Sequence, residues 1–243
     1  MTTSLILTLL IPAAACLLTW LAGGTRLWRW GRTAAMLSGL LTIGSAVALF
    51  YFSTQTPQPF LIPLGHWIAL PGSSAESLVG SLLVDRWALF FVALVAVVGG
   101  LITIEAACGR EDSATQILPP LQLTLFFTMA TLLAGNFLQL VISWESLGPA
   151  PCWLIGGTSP ELRVRNGVRK AALIWRIGSC GLWFATALFW MTLGTLNITD
   201  VIATIIAPEQ SFAITFAACG LFVACLAVCA QFPLFVWLPD CAE

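Results

Sequence analysis

Residues 136–157 read NFLQLVISWESLGPAPCWLIGG, an apolar run long enough to cross a bilayer, with one charged residue, Glu145, near its middle. A carboxylate at the centre of a membrane helix costs roughly 2.5–3.5 kcal/mol on insertion scales, so one kept at this depth usually has a function. Such a group pairs with a cation, faces internal water or is held protonated. Each outcome indicates that Glu145 moves or stores a proton or an ion.

The composition of the whole chain also indicates a membrane protein. Of its 243 residues, 59% are hydrophobic and 9% are charged, whereas soluble domains carry about 25% charged residues. The net charge of −1 argues against a nucleic-acid partner. The eight cysteines include no CxxC pair and there is one histidine, so the sequence predicts no metal or cofactor bound to this chain.

Seven apolar stretches are long enough to form membrane helices, which need about 20 residues each. They lie at about 4–23, 33–53, 86–108, 117–135, 136–157, 168–192 and 212–234. A tight turn at Gly135-Asn136 must separate the fourth stretch from the fifth. We predict an all-α polytopic fold in which residues 1–110 form three leading helices with an external loop at 54–84, and residues 111–243 form the rest.

Charged residues between these stretches predict the orientation, because basic loops stay on the cytoplasmic side. Basic residues fill the first and fifth loops, whereas the second and sixth loops are mainly acidic. We therefore expect an external N-terminus and basic loops that face the cytoplasm or matrix. The basic residues are Arg26, Arg29, Arg32, Arg163, Arg165, Arg169 and Lys170; the acidic ones are Glu76, Asp85, Asp200 and Glu209, against Arg86.

Two features interrupt the fifth and sixth stretches. Arg176, in the sixth stretch, either extends its guanidinium to the interface or pairs with Glu145 of the neighbouring helix. Pro149 and Pro151 remove backbone donors just after Glu145 and predict a kink.

The seventh stretch ends in the sequence AQFPLFVWLPD, residues 230–240. Gln231, Pro233 and Pro239 precede Asp240, and this pattern is typical of a discontinuous helix, which in transporters marks an ion path. A re-entrant or interfacial helix end is the alternative interpretation.

Several motifs in register along the chain resemble those of a known family. They are NFLQ at 136–139, WESLG at 144–148, RKAA at 169–172, RIG at 176–178, AQFPL at 230–234 and WLPD at 237–240. In this order and spacing they resemble the antiporter-like membrane subunits of respiratory complex I, above all the subunit called L in bacteria and 5 in organelles. Mrp-type cation/proton antiporter subunits share the pattern.

The resemblance implies a fold with two inverted repeats, each of which contains a broken helix. This chain would supply three leading helices and most of the first repeat, up to the broken seventh helix. The family pattern continues beyond Glu243, so we expect either a split gene or a fragment. The resemblance also implies that Glu145 is a switching carboxylate, with Arg176 and Lys170 along its proton path.

Three positions depart from the family pattern. Val228 occupies the place of a helix-seven lysine, Ser179 that of an aspartate and Phe235 that of a histidine. Because none of these replacements carries a charge, the usual partner of the switching carboxylate is missing from this half-channel.

Three functional hypotheses remain open: a membrane subunit of a proton-translocating NADH:quinone oxidoreductase, an Mrp-like cation/proton antiporter subunit, or a degenerate non-pumping scaffold. Under the first, FMN, iron–sulfur clusters, NADH and quinone belong to partner subunits. The expected partners are other membrane subunits, including a chain that supplies the remaining helices, and the lipid bilayer. The expected location is a bacterial plasma membrane or an organellar inner membrane.

Overall fold

The computed structural model describes residues 2–23, 25–53, 59–68, 78–109, 111–159, 161–204 and 211–241. The chain is mostly helical, in agreement with the predicted fold class. The helices are α1 (Thr2–Ala22), α2 (Trp28–Ser53), α3 (Arg86–Cys108), α4 (Glu111–Leu132), α5 (Phe137–Leu147), α6 (Pro149–Thr158), α7 (Leu162–Leu193), α8 (Ile198–Ala203), α9 (Ser211–Val228) and α10 (Leu238–Cys241); the strands are β1 (Phe60–Ile68) and β2 (Leu78–Val84).

Among the described residues, five helices are long and apolar enough to cross a membrane: α1, α2, α3, α7 and α9. The chain is therefore an integral membrane protein. The predicted fourth stretch corresponds to α4, whose 22 residues include Pro119 and Pro120. The predicted fifth stretch is divided between α5 and α6, of 11 and 10 residues. The count of seven membrane helices stays a prediction.

The segment that we predicted as an external loop, 54–84, contains two β-strands within the otherwise helical fold. β1 and β2 pair as a two-stranded sheet. Both segments are rich in β-branched and other apolar residues but are too short to cross a membrane as helices. Pairing of the two strands satisfies their backbone hydrogen-bonding groups. Glu76 and Glu209, which entered the predicted charge balance, lie outside the described residues.

α7 begins earlier than the sequence predicted, at Leu162 rather than near residue 168. Arg163 and Arg165, expected in a loop, therefore lie in its first turns. A helix of 32 residues is about 48 Å long, whereas the hydrocarbon core of a bilayer is about 30 Å thick. The basic turns can therefore extend past the apolar region without placing their charges in lipid.

The chain divides into two compact units. In the first, which contains α1–α4 and α6, small residues let α2 approach α3 closely. A Cβ atom placed on Gly39 would lie 2.8 Å from the carbonyl oxygen of Gly100. Gln122 Nε2 of α4 donates a hydrogen bond of 3.0 Å to Ser38 Oγ of α2, and both residues are buried. This bond satisfies polar groups that would otherwise be costly inside a membrane protein.

The second unit contains α5 and α7–α10. Its α7 and α9 come together at Gly181 and Gly220, where neither residue has a side chain to hold the backbones apart. Such glycine contacts are typical of membrane helices that pack tightly. α5 also packs against α7, where Val141 of α5, Leu182 of α7 and Ala224 of α9 form one buried apolar cluster. The contact between α5 and α7 contains the candidate site.

Candidate functional site

Glu145 of α5 forms an ion pair with Arg176 of α7. Arg176 Nη1 donates to Glu145 Oε2 at 2.5 Å. The side chain of Glu145 is 22% exposed, whereas that of Arg176 is 66% exposed. The half-buried carboxylate thus has a charged donor, which offsets part of its desolvation cost. The sequence named this arginine as one possible partner, and the structure brings the two side chains together.

Trp183 provides a second donor to the same carboxylate, at 3.2 Å from its Nε1 to Glu145 Oε1. Both carboxylate oxygens therefore accept a hydrogen bond from α7. Trp183 was not among the site residues predicted from the sequence. The available signal was its spacing, because Trp183 follows Arg176 by seven residues, which is about two helical turns and returns to the same face.

The start of α5 is set by Asn136. Its backbone is extended, with φ −138°, and its side chain accepts a hydrogen bond of 2.7 Å from the N–H of Gln139. Asn136 is thus a helix N-cap rather than a residue of left-handed conformation. Gly135 N–H donates to the Ser81 carbonyl at 2.9 Å, and Gln139 Oε1 accepts from Ser81 N–H at 3.2 Å, so β2 also holds this turn.

α5 and α7 run antiparallel, as their aromatic contacts show. Phe137, at the start of α5, lies 4.7 Å from Phe189, and Trp144, near its end, lies 5.1 Å from Trp175, measured between ring centroids. Gly148 continues the helical conformation, with φ −54° and ψ −48°. A Cβ on Gly148 would lie 2.5 Å from Trp175 Nε1, so only glycine lets this indole pack under the Glu145 turn.

The interruption predicted after Glu145 is present as the division between α5 and α6. Proline has no backbone N–H, so the carbonyl of Glu145 receives no helical hydrogen bond from Pro149, and that of Leu147 receives none from Pro151. Two backbone carbonyls that receive no hydrogen bond from the residue four positions later therefore lie within one turn of the Glu145 carboxylate.

Three side-chain polar atoms near this contact are buried without a hydrogen-bond partner among the described residues: Trp144 Nε1, Trp175 Nε1 and Ser179 Oγ. An unpaired buried polar group costs about 1–3 kcal/mol. Ordered water is the usual partner of such groups in native proteins.

Lys170 and Asp240 form a second ion pair, separate from that of Glu145. Lys170 Nζ lies 2.5 Å from Asp240 Oδ2, and Arg163 Nε lies 3.5 Å from Asp240 Oδ1. The hydrogen bond from Lys170 holds the pKa of the Asp240 carboxyl below its usual range. The role of Lys170 in the proton path stays a prediction, and the structure places this side chain against the end of the broken helix.

Gly167 allows this contact, since a Cβ there would lie 2.8 Å from Asp240 Cβ and from Cys241 Sγ. Burial, followed by the Asp240 charge, raises the pKa of the Cys241 thiol. α10 is thus fastened to the first turns of α7 by charge and by close packing.

Replacing Asp240 by Asn should release α10 and speed maleimide labelling of Cys241 several-fold at neutral pH, in a variant that keeps Cys241 as its only cysteine. Because the folded pKa of Asp240 is lowered, its ion pairs stabilise the contact above the usual carboxyl range, and this stabilisation is lost as pH falls through the lowered pKa. The labelling rate of Cys241, measured as a function of pH, would report the loss of the contact between α10 and α7.

Asp200→Asn is the matched control, because among the described residues the Asp200 carboxylate accepts from Asn197 and pairs with no basic residue of α7. Equal labelling of Cys241 in Asp240→Asn and in the parent would show that these ion pairs do not hold α10.

The break after α9 occurs earlier than its prolines suggested. α9 ends at Val228, and Gln231 N–H donates back to the Leu226 carbonyl at 3.2 Å while Ala230 has φ +48°. This is a Schellman termination with alanine at the position where glycine is usual. Residues 229–237 are not helical, and the chain becomes helical again at Leu238.

The remaining residues predicted at the broken helix lie around this segment. Gln231, Pro233 and Pro239 are exposed, whereas Asp240 is half-buried. Val228, which replaces the lysine expected from the resemblance, is the last residue of α9 and is 38% exposed. Within the described part of the chain, no group of three or more His, Cys, Asp or Glu side chains could hold a metal ion.

These features define a polytopic helical membrane protein with a carboxylate–guanidinium pair between two helices and a broken helix beside them. Residues 134–243, which contain the whole site, match the family described as NADH:quinone oxidoreductase/Mrp antiporter, TM. The match confirms the resemblance that the motifs indicated.

The chain is similar to the NADH-quinone oxidoreductase subunit L of Mycobacterium tuberculosis, with 28% identity over 99% of this chain. It spans 38% of the length of that relative. Among solved structures, it resembles a chain of the Mrp complex from Dietzia sp., with a TM-score of 0.77 and 21% identity over 99% of this chain and 25% of the other. A chain of an archaeal membrane-bound sulfane sulfur reductase matches with a TM-score of 0.75 and 20% identity, over 98% and 47%.

Proposed function

We propose that this chain acts as a membrane subunit of a proton-translocating NADH:quinone oxidoreductase. The observation that carries the proposal is the Glu145 carboxylate, held by Arg176 and Trp183 within the segment that matches the family. A paired carboxylate inside an apolar fold is costly to keep, which supports a role in moving charge.

The geometry supports a simple switch. When Glu145 is ionised, Arg176 is attracted to it and Trp183 donates to its second oxygen. When Glu145 takes up a proton, its attraction to Arg176 disappears, while an oxygen remains available to the Trp183 N–H. The mostly exposed Arg176 side chain then becomes free to move, and protonation is thereby coupled to the position of a positive charge.

The wider assembly is part of the proposal. Relatives of this chain are named as subunits of an oxidoreductase, and its structural neighbours belong to membrane complexes. FMN, iron–sulfur clusters, NADH and quinone would be bound by partner subunits. The membrane would be a bacterial plasma membrane or an organellar inner membrane, with the N-terminus external and the basic segments facing the cytoplasm or matrix.

An Mrp-like cation/proton antiporter subunit is the second candidate. The observation that favours it is the similarity of fold to a chain of an Mrp complex, at a TM-score of 0.77. The same ion pair would serve this function, with a cation gradient rather than electron transfer as the source of energy.

Purification of the chain in mild detergent, with the subunits that accompany it, tests these proposals. Redox subunits in the purified complex, together with NADH-driven proton uptake by vesicles containing it, are the expected result. Proton movement that depends on a sodium gradient and not on NADH would instead support the antiporter. A stable monomer without proton movement of either kind would contradict both.

A further inference from the structure

A second, unassigned feature lies in the first unit, where α1 ends and α2 begins. A groove of 460 Å³ is lined there by apolar side chains of both helices and has almost no polar surface. Its volume is within the range of about 300–1,000 Å³ that is typical of small-ligand sites. Its lining includes Leu18, Leu21, Leu27, Trp30, Ala34 and Leu37.

The loop beside this groove is ordered by its own hydrogen bonds. Thr25 Oγ1 donates to the Ala22 carbonyl at 2.7 Å, and the N–H of Leu27 donates to Thr25 Oγ1 at 3.2 Å. The N–H of Trp28, the first residue of α2, donates to the Thr25 carbonyl at 3.1 Å. The residues that follow Thr25 are thus held in place at the mouth of the groove.

Two arginines in this segment have no acidic partner within the part of the chain that the structure describes. Arg26 precedes the groove residue Leu27, and Arg29 precedes the groove residue Trp30. Both side chains are exposed, and among the described residues neither lies within ion-pair distance of a carboxylate. Arg32 differs, because its Nε and Nη2 donate to the carbonyls of Ala107 and Gly109 at the end of α3.

These features together select one kind of ligand. The groove is apolar and opens at the surface of the first unit. Arg26 and Arg29 each precede a lining residue, and the lining residue Trp30 is an exposed tryptophan, a residue type enriched at membrane–water interfaces. The positive end of the α2 dipole adds to the field of the two guanidinium groups. A lipid with an anionic headgroup matches both the apolar groove and the two arginines, whereas a neutral lipid matches the apolar groove alone.

We propose that this groove binds one anionic phospholipid, with an acyl chain along Leu18, Leu21 and Leu37 and the headgroup phosphate on Arg26 and Arg29. The proposal does not depend on the proposed function. It concerns a different unit from the Glu145 ion pair, and the two can fail separately.

Native mass spectrometry of the purified protein, with its accompanying subunits, tests the proposal. The protein in mild detergent is exposed to phosphatidylglycerol and phosphatidylcholine with identical acyl chains, and the retained lipid is counted. We expect preferential retention of one phosphatidylglycerol. The double variant Arg26→Gln, Arg29→Gln should retain about tenfold less of it, because each basic side chain near a membrane surface contributes to anionic-lipid binding.

Two further variants separate a site from a general effect of charge. Arg165→Gln with Arg169→Gln removes the same charge from exposed arginines of α7 and should leave retention unchanged. Ala34→Trp fills the groove without changing charge and should also lower phosphatidylglycerol retention. Equal retention of the two lipids by the parent protein would overturn the proposal. So would an equal loss in the two double variants, or full retention in Ala34→Trp.

Discussion

Replacing Glu145 by Gln is expected to lower NADH-driven proton translocation at least about tenfold, to the level of passive leak. The amide has nearly the shape of the carboxylate but can neither take up and release a proton nor form an ion pair with Arg176. Proton uptake is measured with a pH-sensitive dye in sealed membrane vesicles that contain the full complex. The rate of electron transfer is recorded in the same preparation.

Glu105→Gln is the matched control, since Glu105 is an exposed carboxylate within the membrane-spanning helix α3. The same chemical change there should leave translocation unchanged. Trp183→Phe removes one donor to Glu145 while it keeps an aromatic side chain, and an intermediate reduction is expected. Full translocation by Glu145→Gln would contradict the switch and favour the scaffold hypothesis that Val228, Ser179 and Phe235 suggested.

Replacing Gly220 by Leu is expected to destabilise the packing of α7 against α9 by about 3 kcal/mol or more. A Cβ on Gly220 would lie 2.6 Å from the carbonyl oxygen of Gly181, and a Cβ on Gly181 would lie 2.5 Å from that of Gly220. The obstacle is backbone in both directions, so no change of side-chain rotamer relieves it and the helices must separate. The thermal midpoint in detergent, followed by circular dichroism, measures the loss.

Gly44→Leu provides the comparison for this substitution. Gly44 also lies in the interior of a membrane-spanning helix, but a Cβ there would meet no atom within 4 Å. The variant should unfold at or slightly above the temperature of the parent, because glycine inside a helix is less favourable than residues with a side chain. If both variants unfolded at the same temperature, the Gly181–Gly220 contact would not limit stability.

The broken helix shows how far local sequence can predict geometry. Pro233 and Pro239 predicted an interruption, since proline cannot donate within a helix. The helix ends before either proline, however, through a left-handed Ala230. Alanine is seldom found in this conformation, so the sequence offered no local signal for the position of the last turn.

The ion pairs also show a difference between what local sequence predicts and what tertiary packing decides. Glu145 and Arg176 stood out because charged residues in apolar stretches must find partners, and few partners were available. Asp240 had several basic residues within reach, and its contact with Lys170 and Arg163 depends on Gly167, whose lack of a side chain lets α10 approach α7. Trp183 was one of 11 tryptophans, and only the antiparallel packing of α5 on α7 distinguishes it.

The amino-acid sequence by itself determined the membrane environment, the positions of most helices and the break before residue 240, and it singled out Glu145 as a candidate functional residue. These properties follow from hydropathy, from missing backbone donors and from the cost of an isolated charge, all of which act locally. The tertiary structure alone decided which cation holds which carboxylate, that the loop 54–84 contains a two-stranded sheet, and where α7 approaches α9 at Gly181 and Gly220. Those outcomes depend on contacts between residues that are far apart in sequence, and no local sequence pattern specifies which of these residues meet in space.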